Sequence, residues 1–431
     1  MTRDIALVVV SLIVLVTVMI GVKWLGSRFS WRPELARKGV HVATGLYATF
    51  LPFMFGEVWP VLLLVGVAAA AMLVLRLPRL AKDGLGSTLH GVERHSYGEL
   101  LLAAAIGVVF ALSIGNPVLY VLPMAVLTLS DAAAALVGTR YGRKFFEVEA
   151  GTKSAEGVAA FFLVTWIVAM VVLLLLSDIG RGNVILLSLI IAAFGAMVEA
   201  DSWHGLDNLF VPVGIYLFLA GHIATPPLDL LLLAATFALV LVAVVALAPA
   251  VGLSAHAARG YTVFVFLICA VTPAYNAILP VIAILAHLGV AKVRPWQSAH
   301  PNLDFLATLS TVAVFWLAIG EITHINALHV YNLTFAGTAL AIAALATRHR
   351  LVLAAAAAAG LALLLFVIAG WNATRTSVHD LPWPWVAASF LPCLVVPLRW
   401  PEFLDRYRGA RTLALAMPVP IVAFISFAVR S

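Results

Sequence analysis

The stretch TLSDAAAALVGTRYGRKFF, Thr128 to Phe146, sets one acid in an apolar helix and then releases a basic loop. Asp131 stands about eight residues before Arg140, and eight helical residues cover roughly 12 Å. An acid at that depth is expensive in lipid, so it reads as functional by default. The other reading is a structural pairing of Asp131 with a buried cation. Ala132 to Ala135 let a second helix or a ligand approach closely. Gly138 and Gly142 offer a flexible exit, and Arg140, Arg143 and Lys144 offer positive charge to a phosphate.

The rest of the chain explains why this stretch belongs in a membrane. Of 431 residues, 63% are hydrophobic and 11% charged. A soluble domain carries about 25% charge. Apolar runs recur from residues 4–24 to 412–429, which predicts an all-α polytopic integral membrane protein with about 13–16 transmembrane helices. One span is expected over 40–57 and another over 260–283, with 277–290 a candidate for an additional one. The charge of +6 sits in short loops, which fits membrane orientation and makes nucleic acid a poor partner. Cys269 and Cys393 lie in apolar runs and imply neither a disulfide framework nor a zinc site.

Basic clusters at Lys23 to Lys38, Arg76 to Arg94 and Arg140 to Lys153 are separated by pairs of spans, so they share one side. The positive-inside rule makes that side cytoplasmic. Two more spans return the chain there at Asp201 to Asn208. Segments distant in sequence thus converge on the face where nucleotides are found.

Each segment has its own pattern. In WRPELARKGVHVATG, Trp31 to Gly45, Glu34, Lys38, His41 and Gly45 share one helical face. Lys38 either snorkels and pairs with Glu34 or, with His41, faces a phosphate or hydroxyl. In ERHSYGEL, Arg94 and Glu99 serve topology or a site equally well. GTKSAEG places Gly151, Lys153, Glu156 and Gly157 before a span, a plausible phosphate cradle without the Walker A spacing. In EADSWHGLDNLFVP, Glu199, Asp201 and Asp207 bring carboxylates to the basic face, and Asp207–Asn208 can also cap a helix. Carboxylates beside bound phosphates usually imply Mg²⁺, with Asp131, Glu199 and Asp207 as candidate ligands.

In order and spacing, ELARKGVHVATG, HSYGEL, LSDAAAALVGTRYGR, GTKSAEG and EADSWHGLDNLFVP resemble the membrane polyprenol kinase family, which includes dolichol and phytol kinases and is related to phosphatidate cytidylyltransferases. The resemblance covers residues 30–224. It implies transfer of the γ-phosphate of CTP to an isoprenoid alcohol such as phytol, geranylgeraniol, dolichol or another polyprenol, with Mg²⁺ as cofactor, giving the lipid monophosphate and CDP. It implies a catalytic role for Asp131, to which the helical face read above adds Lys38 and His41 as candidates. Arg140, Arg143, Lys144, Gly151, Lys153, Glu156 and Gly157 would meet the nucleotide phosphates. Asp131, Glu199 and Asp207 would hold the metal, supported by Glu34, Arg94, Glu99 and Asn208. The family often has a second lysine where Thr152 stands here.

The expected organisation is an N-terminal transmembrane segment over 1–29, a kinase-like membrane domain over 30–224, and a further transmembrane module of unassigned role over 225–431. The partners expected are a membrane lipid or isoprenoid alcohol and a nucleotide; the oligomeric state is not legible. A cytidylyltransferase needs similar acids and cations, plus extra basic residues for an anionic lipid. A transporter predicts polar residues near the midplane of both halves and matched repeats.

Overall fold

Apolar runs become helices here, and Pro52 and Pro273 mark two places where an expected span breaks. The computed structural model describes residues 1–31, 33–75, 97–148, 151–347, 350–373 and 382–429. Arg94 and the Lys82–His90 loop lie outside the described residues. Ten helices among those described are long and apolar enough to cross a membrane, and four shorter apolar helices accompany them. The protein is a predominantly helical, polytopic membrane protein.

The chain forms two compact units, 1–243 and 244–431. The first contains α1 (Thr2–Arg28), α2 (Pro33–Thr49), a single turn α3 (Leu51–Met54), α4 (Val58–Leu75), α5 (Gly98–Leu112) and α6 (Pro117–Tyr141). A hairpin of β1 (Phe145–Val148) and β2 (Gly151–Ser154) follows, then α7 (Ala155–Leu176), α8 (Arg181–Asp201), α9 (Asp207–His222) and most of α10 (Pro227–Leu247). The span expected over 40–57 is therefore interrupted near Thr49. Pro52 lacks the N–H that a continuing helix would need.

The unit is built around α6. Gly45 of α2 lies so close to Thr128 of α6 that a Cβ at residue 45 would overlap the Thr128 side chain. The Tyr120 hydroxyl donates to the Ala48 carbonyl at 3.0 Å, continuing the antiparallel crossing. On the other side of α6, Thr165 of α7 donates to Ser130 at 2.9 Å. Gly157 packs within a Cβ radius of the Ala134 carbonyl and of Gly138. Small residues give this close approach, as Ala132 to Ala135 suggested.

The second unit contains α11 (Ala255–Val271), α12 (Ile278–Val293), α13 (Pro301–Thr323), α14 (Leu328–Ala346), α15 (Leu351–Ala373), α16 (Trp383–Arg399), α17 (Arg408–Ala416) and α18 (Pro418–Ala428). Its centre is α14, buried along almost its whole length and rich in alanine. The span expected over 260–283 is two helices. Thr272 and Pro273 end α11, a 3₁₀ turn spans Ala274–Ala277, and α12 supplies the additional span considered at 277–290. The residue before a proline is pushed out of the helical region, which explains the break.

Candidate functional site

The spacing of the α2 face decides what meets α6. Lys38, His41 and Gly45 follow at steps of three and four and look across at Asp131 and Thr128. Lys38 Nζ lies 2.6 Å from both Asp131 oxygens. His41 Nε2 is 3.2 Å from Asp131 Oδ2. Lys38 thus reaches the acid on α6, and the buried-cation pairing considered for Asp131 is present. The Glu34 side chain lies outside the described part of the structure.

The pair does not stand alone. Among the described residues, Asp131, Glu199 and Asp207 each offer a carboxylate oxygen within 4.8 Å of the other two. Glu199 lies in the last turn of α8 and Asp207 begins α9. Lys153, on β2, donates to Glu199 Oε1 at 2.8 Å and to the Glu199 carbonyl at 2.7 Å. Burial works against the Lys153 charge, but the carboxylates of Glu199 and Asp207 outweigh it and hold the ammonium above its ordinary value. Glu199 Oε2 is buried and has no hydrogen-bond partner among the described residues.

Those observations fit a divalent cation. Hard cations take oxygen ligands, and the three carboxylates lie near enough for small side-chain movements to close them on one ion. Both Asp131 oxygens accept from Lys38, but a carboxylate has about four acceptor sites, so Asp131 can still meet an ion beside Glu199 and Asp207.

The depth expected for Asp131 changes. Helix α6 runs unbroken to Tyr141, about 15 Å beyond Asp131 at 1.5 Å per residue. Yet Asp131 meets the last turn of α8 and the first residue of α9. It is therefore level with neighbouring helix ends, and the last turns of α6 project past them. The hairpin and the first turn of α7 pack beside that projection.

The sequence around GTKSAEG is a strand and a helix cap. Phe145 pairs with Ser154 and Phe146 with Lys153, so the antiparallel register carries Lys153 toward α8. Ser154 then caps α7 by accepting from the Gly157 amide at 3.1 Å. Gly151 has φ of +133°, a conformation that side chains rarely adopt. The Glu156 carboxylate accepts the backbone amides of Arg143 and Lys144, each at 3.1 Å. It braces the basic loop. Arg140, Arg143 and Lys144 are exposed and stand outside the carboxylate cluster. Glu99 lies in the first turn of α5, also outside the cluster. Asn208 donates to the Gly98 carbonyl at 2.9 Å and ties the start of α9 to the start of α5.

Thr128 and Ser154 are the contributors that the sequence reading missed. The threonine is legible only once Gly45 is known to face it. The S-x-x-G cap was hidden by attention to the neighbouring lysine.

Acids and lysines thus gather at the ends of membrane helices. No family model matches the chain, and no solved structure matches it. The chain is 35% identical over 195 residues to the phytol kinase of Synechocystis sp. (strain ATCC 27184 / PCC 6803 / Kazusa), a match that covers 44% of this chain and 79% of that protein. At that identity and coverage the chain belongs to the phytol kinase family, within the polyprenol kinases.

Proposed function

We propose that the protein is a CTP-dependent kinase of a membrane isoprenoid alcohol, with its polar loops on the cytoplasmic side. The observation that carries the chemistry is the convergence of Asp131, Glu199 and Asp207 with Lys38 and Lys153. Similarity to a phytol kinase supports the acceptor class.

In this reading the alcohol oxygen attacks the γ-phosphorus and the bond to the β-phosphate oxygen breaks. CDP leaves, the lipid keeps the phosphoryl group, and the hydroxyl proton passes to Asp131. Lys38 and His41 hold that carboxylate in place. Lys153 offers positive charge to the phosphates, and the exposed Arg140, Arg143 and Lys144 attract the nucleotide from outside. Glu156 keeps the Arg143–Lys144 backbone in position, and Gly151 and Gly157 allow the hairpin and its helix to close up. Asp131, Glu199 and Asp207 would hold Mg²⁺, which when bound neutralises charge on the transferring phosphoryl group. Catalysis of this kind is mostly placement and electrostatics, so few groups are required.

The test is transfer of label from γ-labelled CTP to phytol, geranylgeraniol, farnesol and a long polyprenol in membranes containing the protein. Label in the lipid phase that disappears with Asp131→Asn supports the reading, and γ-labelled ATP run in parallel identifies the donor. Failure of folded protein to label any alcohol from either nucleotide overturns it. Incorporation of α-labelled CTP into phosphatidate would instead identify a cytidylyltransferase.

A further inference from the structure

The helices of the second unit are joined by short connections and run up and down, so alternate connections fall at the same end. At one end, two connections far apart in sequence are tied to each other. Arg294, just past α12, donates to both Asp405 carboxylate oxygens at 2.6 Å. The Gln297 amide donates to the Asp405 carbonyl at 3.2 Å, and the Arg408 side chain donates to the Arg294 carbonyl at 3.1 Å. The chain after α12 and the chain between α16 and α17 thus form one platform.

What the platform presents is of one sign. Lys292, Arg399 and Arg406 are exposed, and among the described residues none of them forms an ion pair. Arg294 already occupies Asp405, which leaves Glu402 as the exposed acid of 399–411. Three large rings stand beside these cations: Trp400 is 57% exposed, Phe403 39% and Tyr407 73%. The arrangement is braced. Tyr407 has φ of +51°, which residues other than glycine seldom adopt. The Arg411 guanidinium lies 4.8 Å from the centre of the Phe403 ring and 5.9 Å from that of Tyr407, and it donates to the Phe403 carbonyl. Arg408 is fully buried beneath and donates to the Leu404 carbonyl at 3.0 Å. The connections at the other end, 272–277 and 324–327, contain neither lysine nor arginine.

We propose that this platform docks the headgroups of anionic phospholipids, with Lys292, Arg399 and Arg406 meeting the phosphates and the rings of Trp400, Phe403 and Tyr407 seated among the headgroups, and that this end of the unit faces the cytoplasmic leaflet. Charge complementarity selects an anionic occupant. The rings select a lipid over a soluble anion, because they flank the end of a membrane helix, where aromatic side chains settle at headgroup level. Cations near a membrane surface are drawn to the anionic lipids of the cytoplasmic leaflet. The inference concerns the second unit alone and stands apart from the kinase reading.

The test uses the full-length protein with a photoreactive benzophenone side chain in place of Tyr407, in vesicles of phosphatidylcholine and phosphatidylglycerol in equal parts. Cross-linked lipids are identified by mass spectrometry. Phosphatidylglycerol adducts are expected to exceed phosphatidylcholine adducts severalfold, and the excess should shrink as chloride is added, because salt screens exposed charges. Arg399→Gln combined with Arg406→Gln should bring the ratio close to one. Both arginines are exposed, so the variant should fold, and an unchanged thermal midpoint verifies that. The same label at Ile322, 44% exposed near the opposite end of α13, should give no excess. Equal adducts of the two lipids at Tyr407, an excess that the double variant leaves intact, an equal excess at Ile322, or no lipid adduct at Tyr407 overturns the proposal. Inorganic phosphate that abolishes the excess where chloride of the same ionic strength does not would assign the platform to a soluble anion and overturn it as well.

Discussion

Both units bury polar side chains among membrane helices, but they settle them differently. In the second unit Asn276 sits between two amides: its Oδ1 accepts from Asn332 at 2.7 Å and from Asn372 at 2.9 Å. The set is neutral and joins the 3₁₀ turn after α11 to α14 and α15. It leaves one amide oxygen, Asn332 Oδ1, open. In the first unit the set is ionic, and among the described residues it leaves one carboxylate oxygen, Glu199 Oε2, without a hydrogen-bond partner. Neutral amides can close on one another and act as glue between helices. A charged group that fails to close remains costly until something else arrives. The contrast separates polarity that holds a fold together from polarity that waits for a ligand.

The largest effect should come from the ionic set. Asp131→Asn should lower phosphoryl transfer by about a hundredfold or more, read from γ-labelled CTP, while the protein stays in the membrane fraction. Retained activity would move the first unit's acids into the structural category. Lys153→Met should cost tens of fold in the same assay, without the buried unpaired lysine that the Asp131 variant leaves behind.

Helix packing gives the next effect. Gly45→Ala forces a methyl group into Thr128, and overpacking of this kind costs about 1–3 kcal/mol. A lower thermal midpoint in detergent is expected, partly restored by adding Thr128→Ala. Asn276→Ala should destabilise by a similar amount, because it strips partners from two buried amides. Its kinase activity at low temperature should match the parent protein. A loss of activity without a loss of stability would show that the amide set is more than glue.

The smallest effect lies in the Arg294–Asp405 pair. Two hydrogen bonds of 2.6 Å from Arg294 hold the Asp405 carboxyl below its ordinary range, against the opposing effect of burial. A depressed carboxyl contributes stability above its unfolded value and loses it as pH falls through the folded one. Asp405→Asn should therefore change the thermal midpoint slightly at pH 7 and not at all in strong acid. The pair is partly exposed, so the effect should stay under about 1 kcal/mol.

Much of the first unit was legible because helical spacing is rigid. Lys38, His41 and Gly45 had to share a face, and an acid followed by four alanines had to meet something close. The partner of that face was not legible, since nothing in the sequence of α2 points to Thr128 or Asp131. The hairpin escaped because GTKSAEG was weighed as a phosphate cradle, and four-residue strands give little periodicity. Glu156 was read as part of that cradle, but hairpin geometry turned its carboxylate to the Arg143 and Lys144 amides. That Asp131 stands level with the ends of α8 and α9 was not legible, because helix length alone does not say where its neighbours end. In the second unit, Pro273 announced a break, but the meeting of Arg294 with Asp405 depends on helix ends that are distant in sequence.

The projection of α6 beyond its neighbours has one more consequence. Because Asp131 stands level with the ends of α8 and α9, a polyphosphate in the proposed reaction would approach helix ends and not the middle of the bundle. The alcohol does the travelling, and only by the length of its head. A tail of ten carbons or of sixty would hang behind the reacting oxygen in the same way. Discrimination among tails would then rest with the first few carbons and the walls around them, and the finished ester would already float at the level of its fellow headgroups.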